Sequence, residues 1–225
     1  MEFNAKKCYV LRVSHSKSIQ HFSYTLNNTV LQETAAHTYL GVDLSHDLKW
    51  NTHVNRIAAK ANKTLGFILV LNSNQRNGIQ ITGTSNQSWT TAPLWDPHTK
   101  NLTNQLEAIQ NRAARFVSGI YGRDSSITKI KQDLKWETLQ QRRTVDRLTI
   151  FQQAVAGNLA IPVQNVLRPV TRNLRNTSTT ANSFIPIQAN KNCYKFSFIP
   201  RTIIDWNALP QSITNIRTRN NSRQQ

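Results

Sequence analysis

Cysteine is nearly missing from these 225 residues. The two that occur, Cys8 and Cys193, lie far apart and outside any Cys-x-x-Cys or Cys/His spacing. A disulfide framework and a zinc site are therefore both excluded, and free, buried thiols in a reducing compartment are expected. Long apolar runs are also missing. The longest, Leu65 to Leu71, contains Gly66 and falls far short of the ~20 residues that a membrane span needs. The N-terminal MEFNAKKCYV has no apolar signal core, so an intracellular, non-secreted chain without a membrane segment is expected. Acids are scarce: 11 Asp and Glu stand against 28 Lys and Arg, and no two aspartates are adjacent. The six histidines form no His-Glu-x-x-His pair, and the serines sit in no nucleophile elbow. No metal site, hydrolytic triad or small-molecule site follows from these residues.

What remains is a basic chain of net charge +17 with mean hydropathy −0.50. Such an excess repels itself in a compact state, which makes a polyanion the favoured partner. The charge is unevenly placed. Residues 100–164 carry 10 bases and 5 acids, whereas residues 165–225 carry 9 and 1, so the tail is the most one-sided part. Contact there would be non-specific and sensitive to salt.

The first forty residues read as strands: Cys8 to Val13, His21 to Leu26, Thr29 to Leu31 and Thr38 to Val42. Asn27-Asn28 suits a two-residue hairpin turn, because asparagine tolerates left-handed angles. From Trp50 the period changes. Trp50, Val54, Ile57, Ala58, Ala61, Leu65 and Ile68 recur at three and four residues, one face of an amphipathic helix. Between Asn72 and Pro93, 16 of 22 residues are Asn, Gln, Ser, Thr or Gly, which reads as an irregular loop. A second helix carries Leu102, Leu106, Ile109, Ala113, Phe116, Val117 and Ile120 and is expected to end at Gly122. Ser125-Ser126 caps a short third helix. A fourth runs from Thr138 to Ala156, with Leu139, Val145, Leu148, Phe151 and Val155 inward and Gly157 at its end. Tyr194 to Phe198 reads as a strand and Arg201 to Leu209 as a short helix, with the last ten residues frayed. The fold class is thus α+β, mainly α. A small antiparallel β region (1–48) precedes an amphipathic helical region (49–158) and a basic C-terminal extension (159–225).

Five blocks carry a family resemblance. Phe3-Asn4-Ala5-Lys6-Lys7-Cys8, then Tyr39-Leu40-Gly41-Val42 with Leu48-Lys49-Trp50 and His53, then Leu106 to Arg115, then Trp136 to Arg143, and finally Ser197 to Pro200 with Trp206 to Pro210, resemble in order the C-terminal part of reverse transcriptases of non-LTR (LINE, jockey- or CR1-like) retrotransposons. The resemblance implies the edge of a palm subdomain, a primer-gripping hairpin, a helical thumb and a C-terminal extension. The partner it implies is an RNA/DNA template–primer duplex. Lys6, Lys7, Leu40, Gly41, Arg112, Arg115, Arg142 and Arg143 are the implied nucleic-acid-binding residues. Gly41 reads equally as an ordinary bend in a strand, and one of the adjacent Arg142 and Arg143 as covering the core or pairing with Glu107 or Glu137.

The resemblance also implies what the chain lacks. In the family, aspartates N-terminal to the first block hold two Mg2+ ions, which stabilise the attacking and leaving oxygens. Those aspartates have no counterpart here, so catalytic residues, metal ligands and cofactors are expected to be none, and the chain inactive alone. The likeness lapses across 72–93, as a frameshifted stretch of a decayed copy would. Two other readings stand beside this one: a stand-alone basic nucleic-acid-binding module, and a non-functional product of a decayed element.

Overall fold

A computed structural model describes residues 4–14, 18, 22–73, 95–122, 124–160, 162–170 and 183–214. The chain is α+β and mainly α: short strands within the first 45 residues, then helices. It clusters into two compact units, Met1–Thr91 with Pro97–Glu137, and Ala92–Asp96 with Thr138–Gln225. The expected loop at 72–93 lies outside the described residues, except that Asn72 and Ser73 still belong to a helix. The basic stretch at 171–182 and the last eleven residues also lie outside them.

In the first unit a 3-10 turn at Ala5–Lys7 leads into β1 (Tyr9–Leu11), shorter than the expected Cys8 to Val13. The strands β2 (Thr25–Leu26) and β3 (Thr29–Val30) form an antiparallel hairpin. Asn27 and Asn28 turn it with φ of 49° and 58°, the positive pair that a two-residue turn requires. Phe22 and Tyr24, expected on a strand face, precede β2 and are exposed. β4 (Gln32–Thr34) runs parallel to β1, with Arg12 bound to Glu33 at 3.2 Å. The expected strand Thr38 to Val42 is instead folded in its middle. β5 (Ala36–Tyr39) and β6 (Val42–Ser45) are antiparallel and joined by Leu40-Gly41. Left-handed angles at both residues reverse the chain there.

Helix α1 (Asn51–Ser73) buries Val54, Ile57 and Ala58, the face expected from its period. α2 (Lys100–Ser118) packs along it, with Gln105 donating to Asn55 at 3.1 Å and Arg112 to Asn62 at 2.5 Å. Leu102, Leu106, Ile109 and Ala114 are its buried residues, whereas Val117 and Ile120 are exposed. The helix ends before Gly122, because Gly119 adopts φ 68° and stops it after Ser118. α3 (Ile127–Asp133) follows and buries Ile130.

The second unit is built on α4 (Leu139–Val155). Thr138 and Gln141 make a reciprocal capping box at its start, and Gly157 at φ 75° follows its end. Its inward line is Leu139, Arg143, Arg147, Phe151 and Ala154. Val145, expected inside, is exposed because the two arginines take that face. Tyr194 to Phe198 is not a strand. Asn192–Lys195 forms the short helix α5, and Phe198 opens α6 (Phe198–Asn207), where Pro200 fits the first turn, whose N–H groups have no helical partner. α7 (Gln211–Thr214) closes the described chain. Phe151, Ile203 and Trp206 are the core, packed by Leu148, Phe184 and Leu209 among others. The Phe151 ring meets Trp206 at 5.4 Å and Phe184 at 5.8 Å. Burial of each such side chain stabilises by about 1.5–3 kcal/mol. Asn207 fastens Phe184 to this core, accepting from its N–H at 3.0 Å and donating to its carbonyl at 2.7 Å.

The capping box gives a direct check. Thr138→Ala is expected to lower stability by about 1 kcal/mol, read as a fall in the thermal midpoint of the α-helical circular dichroism. A Thr138→Ser variant should keep the native midpoint.

Candidate nucleic-acid interface

The hairpin β5–β6 places Leu40 and Gly41 together at its tip. Their φ angles are 48° and 82°. At Gly41 the reason for glycine is the angle, since a Cβ there would meet nothing within 4 Å. At Leu40 a side chain is held in a conformation that costs about 1–2 kcal/mol, while being 78% exposed. The other two-residue turn of this unit uses Asn-Asn, which accepts such angles readily.

The strain is held from below. Arg56, one turn beyond His53 on α1, donates from Nη2 to the Gly41 carbonyl at 2.7 Å and from Nε to Asp43 Oδ2 at 2.5 Å. Thr38 donates its hydroxyl to the other Asp43 oxygen. The Asp43 N–H donates to His53 Nδ1 at 3.2 Å, so His53 is a neutral imidazole carrying its proton on Nε2. Burial works to raise the Asp43 carboxyl, but the Arg56 and Thr38 donors outweigh it and hold its pKa below the ordinary value. His53 is pushed below its ordinary value chiefly by burial, with the Arg56 charge adding and Asp43 opposing. Farther along, the Ser45 hydroxyl donates to Asp47 at 2.6 Å and the Lys49 N–H at 3.1 Å, and Asp47 is lowered to about 2.

The expected cationic contacts separate into distinct sets. Lys6 and Lys7 are exposed in the 3-10 turn before β1. Arg112 is exposed on α2 and donates to Asn62. Arg115, one turn on, is half-buried and donates to the Ser125 hydroxyl at 2.9 Å, fastening the chain that follows α2. In the second unit Arg142 is exposed, whereas Arg143 is 3% exposed and donates from Nε to Asp96 at 3.1 Å. Adjacent residues on a helix point about 100° apart, and here one faces solvent and the other the core.

Asp96 is the centre of the second unit's polar core. Besides Arg143 it receives Arg147 Nη1 and, at 3.0 Å, Arg201 Nη1, while Arg147 Nη2 reaches Asp205. Three guanidinium groups thus surround two carboxylates. Burial pushes the Arg201 pKa down, and the charge of Asp96 opposes it. Two of the scarce acids, Asp43 and Asp96, which no motif singles out, prove to be the two hubs. A partial signal exists: His53 and Arg56 share a helical face, as do Arg143 and Arg147, and each pair needs something to face.

Among the described residues no group of three or more His, Cys, Asp or Glu could hold a metal ion, and no helix is long and apolar enough to cross a membrane. No family model, no curated protein and no solved structure matches the chain.

The first unit should be acid-sensitive. His53 has a folded pKa below 6.5, so unfolding takes up a proton. Its contribution is complete above pH 6.5 and is lost as pH falls below it; that of Asp47 is lost between pH 3.8 and about 2. The urea midpoint should therefore fall from pH 7 to pH 5.5, and His53→Gln should flatten that fall. An equally steep fall in the variant would contradict the assignment.

Proposed function

We propose that this chain is the duplex-holding, non-catalytic part of an RNA-directed DNA polymerase of a non-LTR mobile element. The observation that carries the reading is the order of the five sequence blocks along one strongly basic chain. The shape of the second block supports it: an exposed tip, Leu40-Gly41, is followed after β6 by a long helix whose outer face bears Lys60 and Lys63. A nucleic-acid backbone needs exposed cations for its phosphates and a rigid frame to hold them in register. Lys6, Lys7, Arg112 and Arg142 are such exposed cations, whereas Arg143 supports the frame by holding Asp96.

The two Mg2+ ions of the parent reaction do not fit the residues present. The sequence has no adjacent aspartates, and the buried carboxylates Asp43 and Asp96 already accept from arginine. No chemical step is assigned to this chain. The separate core of the second unit is also compatible with a stand-alone binding module, which the same experiment addresses.

Filter binding of the whole chain to an RNA–DNA hybrid across a salt series tests the proposal. Binding should weaken as salt rises, with a log–log slope set by the number of phosphates neutralised. Arg142→Ala, or Lys6→Ala with Lys7→Ala, should reduce that slope by about one per contact removed. No binding even at low salt would remove both readings and leave the product of a decayed element.

A further inference from the structure

The arginine cluster around Asp96 carries one positive charge more than its acids offset. Arg143, Arg147 and Arg201 converge on Asp96, and Arg147 also reaches Asp205, so three guanidinium groups face two carboxylates. Among the described residues no further acid joins them: the charges that act on Arg201 are those of Asp96, Arg147, Asp205 and Arg143. The surplus falls on Arg143. Arg147 spends Nη1 on Asp96 and Nη2 on Asp205, and Arg201 gives Nη1 to the Asp96 carboxylate and carbonyl. Arg143, only 3% exposed, spends Nε alone, on Asp96 Oδ1 at 3.1 Å. Its Nη1 and Nη2, together with Arg147 Nε one helical turn on, are closed off from solvent and donate to no group among the described residues. The other Asp96 oxygen already accepts from Arg147 and Arg201. A guanidinium carries five N–H donors in a fixed fork, and burying its far end without an acceptor is costly.

We propose that Arg143 Nη1 and Nη2 hold a small monovalent anion, of the size of chloride, inside the second unit. One negative charge is what the surplus of one positive charge calls for. Small size follows from the burial of both nitrogens, which a phosphate of a nucleic-acid backbone cannot reach. A water molecule would accept from the same donors but leave the charge uncompensated. The site is therefore independent of the duplex-binding reading, whose cation on this helix is the exposed neighbour, Arg142.

Thermal unfolding of the whole chain at fixed ionic strength, with chloride replaced stepwise by the bulky anion gluconate, reads the site. A ligand held only by the folded state raises the midpoint as it saturates. At a tenfold excess of chloride over its dissociation constant the rise should be roughly 3 °C. Arg142→Met, which removes an exposed cation, should keep that rise. Arg143→Met, which removes the surplus charge together with its unpaired donors, should abolish it. Equal midpoints in the two salts overturn the proposal. So does a rise that survives in Arg143→Met, which would mark anions gathered at the basic surface. If Arg143→Met does not fold, crystals of the native chain grown in bromide decide. Anomalous scattering within hydrogen-bond reach of Arg143 Nη1 or Nη2 supports the site, and its absence there refutes it.

Discussion

Each unit of this chain depends on a carboxylate largely removed from solvent that organises the polar groups around it, with arginine among them in both. With 28 bases and 11 acids, any cation taken into the interior needs one of few partners. An unpaired buried charge costs several kcal/mol, and removing one partner of a buried pair costs about 3–5 kcal/mol. In the first unit Asp43 gathers Arg56, Thr38 and, through its own N–H, His53. In the second, Asp96 gathers Arg143, Arg147 and Arg201. The arginines at the centre of α4 have a place inside because Asp96, joined for Arg147 by Asp205, receives them.

That division sorts the charge. Arginines held by the hubs fix the frame, and Lys6, Lys7, Arg112 and Arg142 remain exposed at the surface. The hairpin tip belongs to neither group. It carries no cation of its own, its carbonyl is tied to Arg56, and the side chains it exposes are those of Tyr39 and Leu40.

The α+β, mainly α architecture was legible because α1 and α2 repeat apolar residues at helical spacing and Asn27-Asn28 announces its turn. Three things were not legible. Gly119 rather than Gly122 ends α2, since either glycine can adopt left-handed angles and the sequence does not rank them. Tyr194 to Phe198 alternates like a strand, yet the apolar residues that matter there pack inward from a helix, Phe198 and Ile199 against Phe151 and Trp206. Arg143 and Arg147 occupy a core line that periodicity assigns to apolar residues; that one of Arg142 and Arg143 turns to the core was expected, but not its partner or the company of Arg147. Their burial follows from Asp96, 47 residues away in sequence for Arg143, a long-range pairing that no local pattern encodes. The same holds for the brace at Leu40-Gly41: the turn is local, whereas Arg56 lies 15 residues beyond Gly41.

The role of the buried carboxylates is tested most directly by comparing two substitutions that change net charge identically. Asp96→Asn and Asp146→Asn each remove one acid from the second unit. Asp96 sits among three arginines, whereas Asp146 lies on the exposed side of α4. Thermal unfolding followed through the near-ultraviolet signal of Trp95 and Trp206 should show a loss of about 3–5 kcal/mol for Asp96→Asn. Asp146→Asn should remain within about 0.5 kcal/mol of the native chain. Equal, small losses for both would contradict the account.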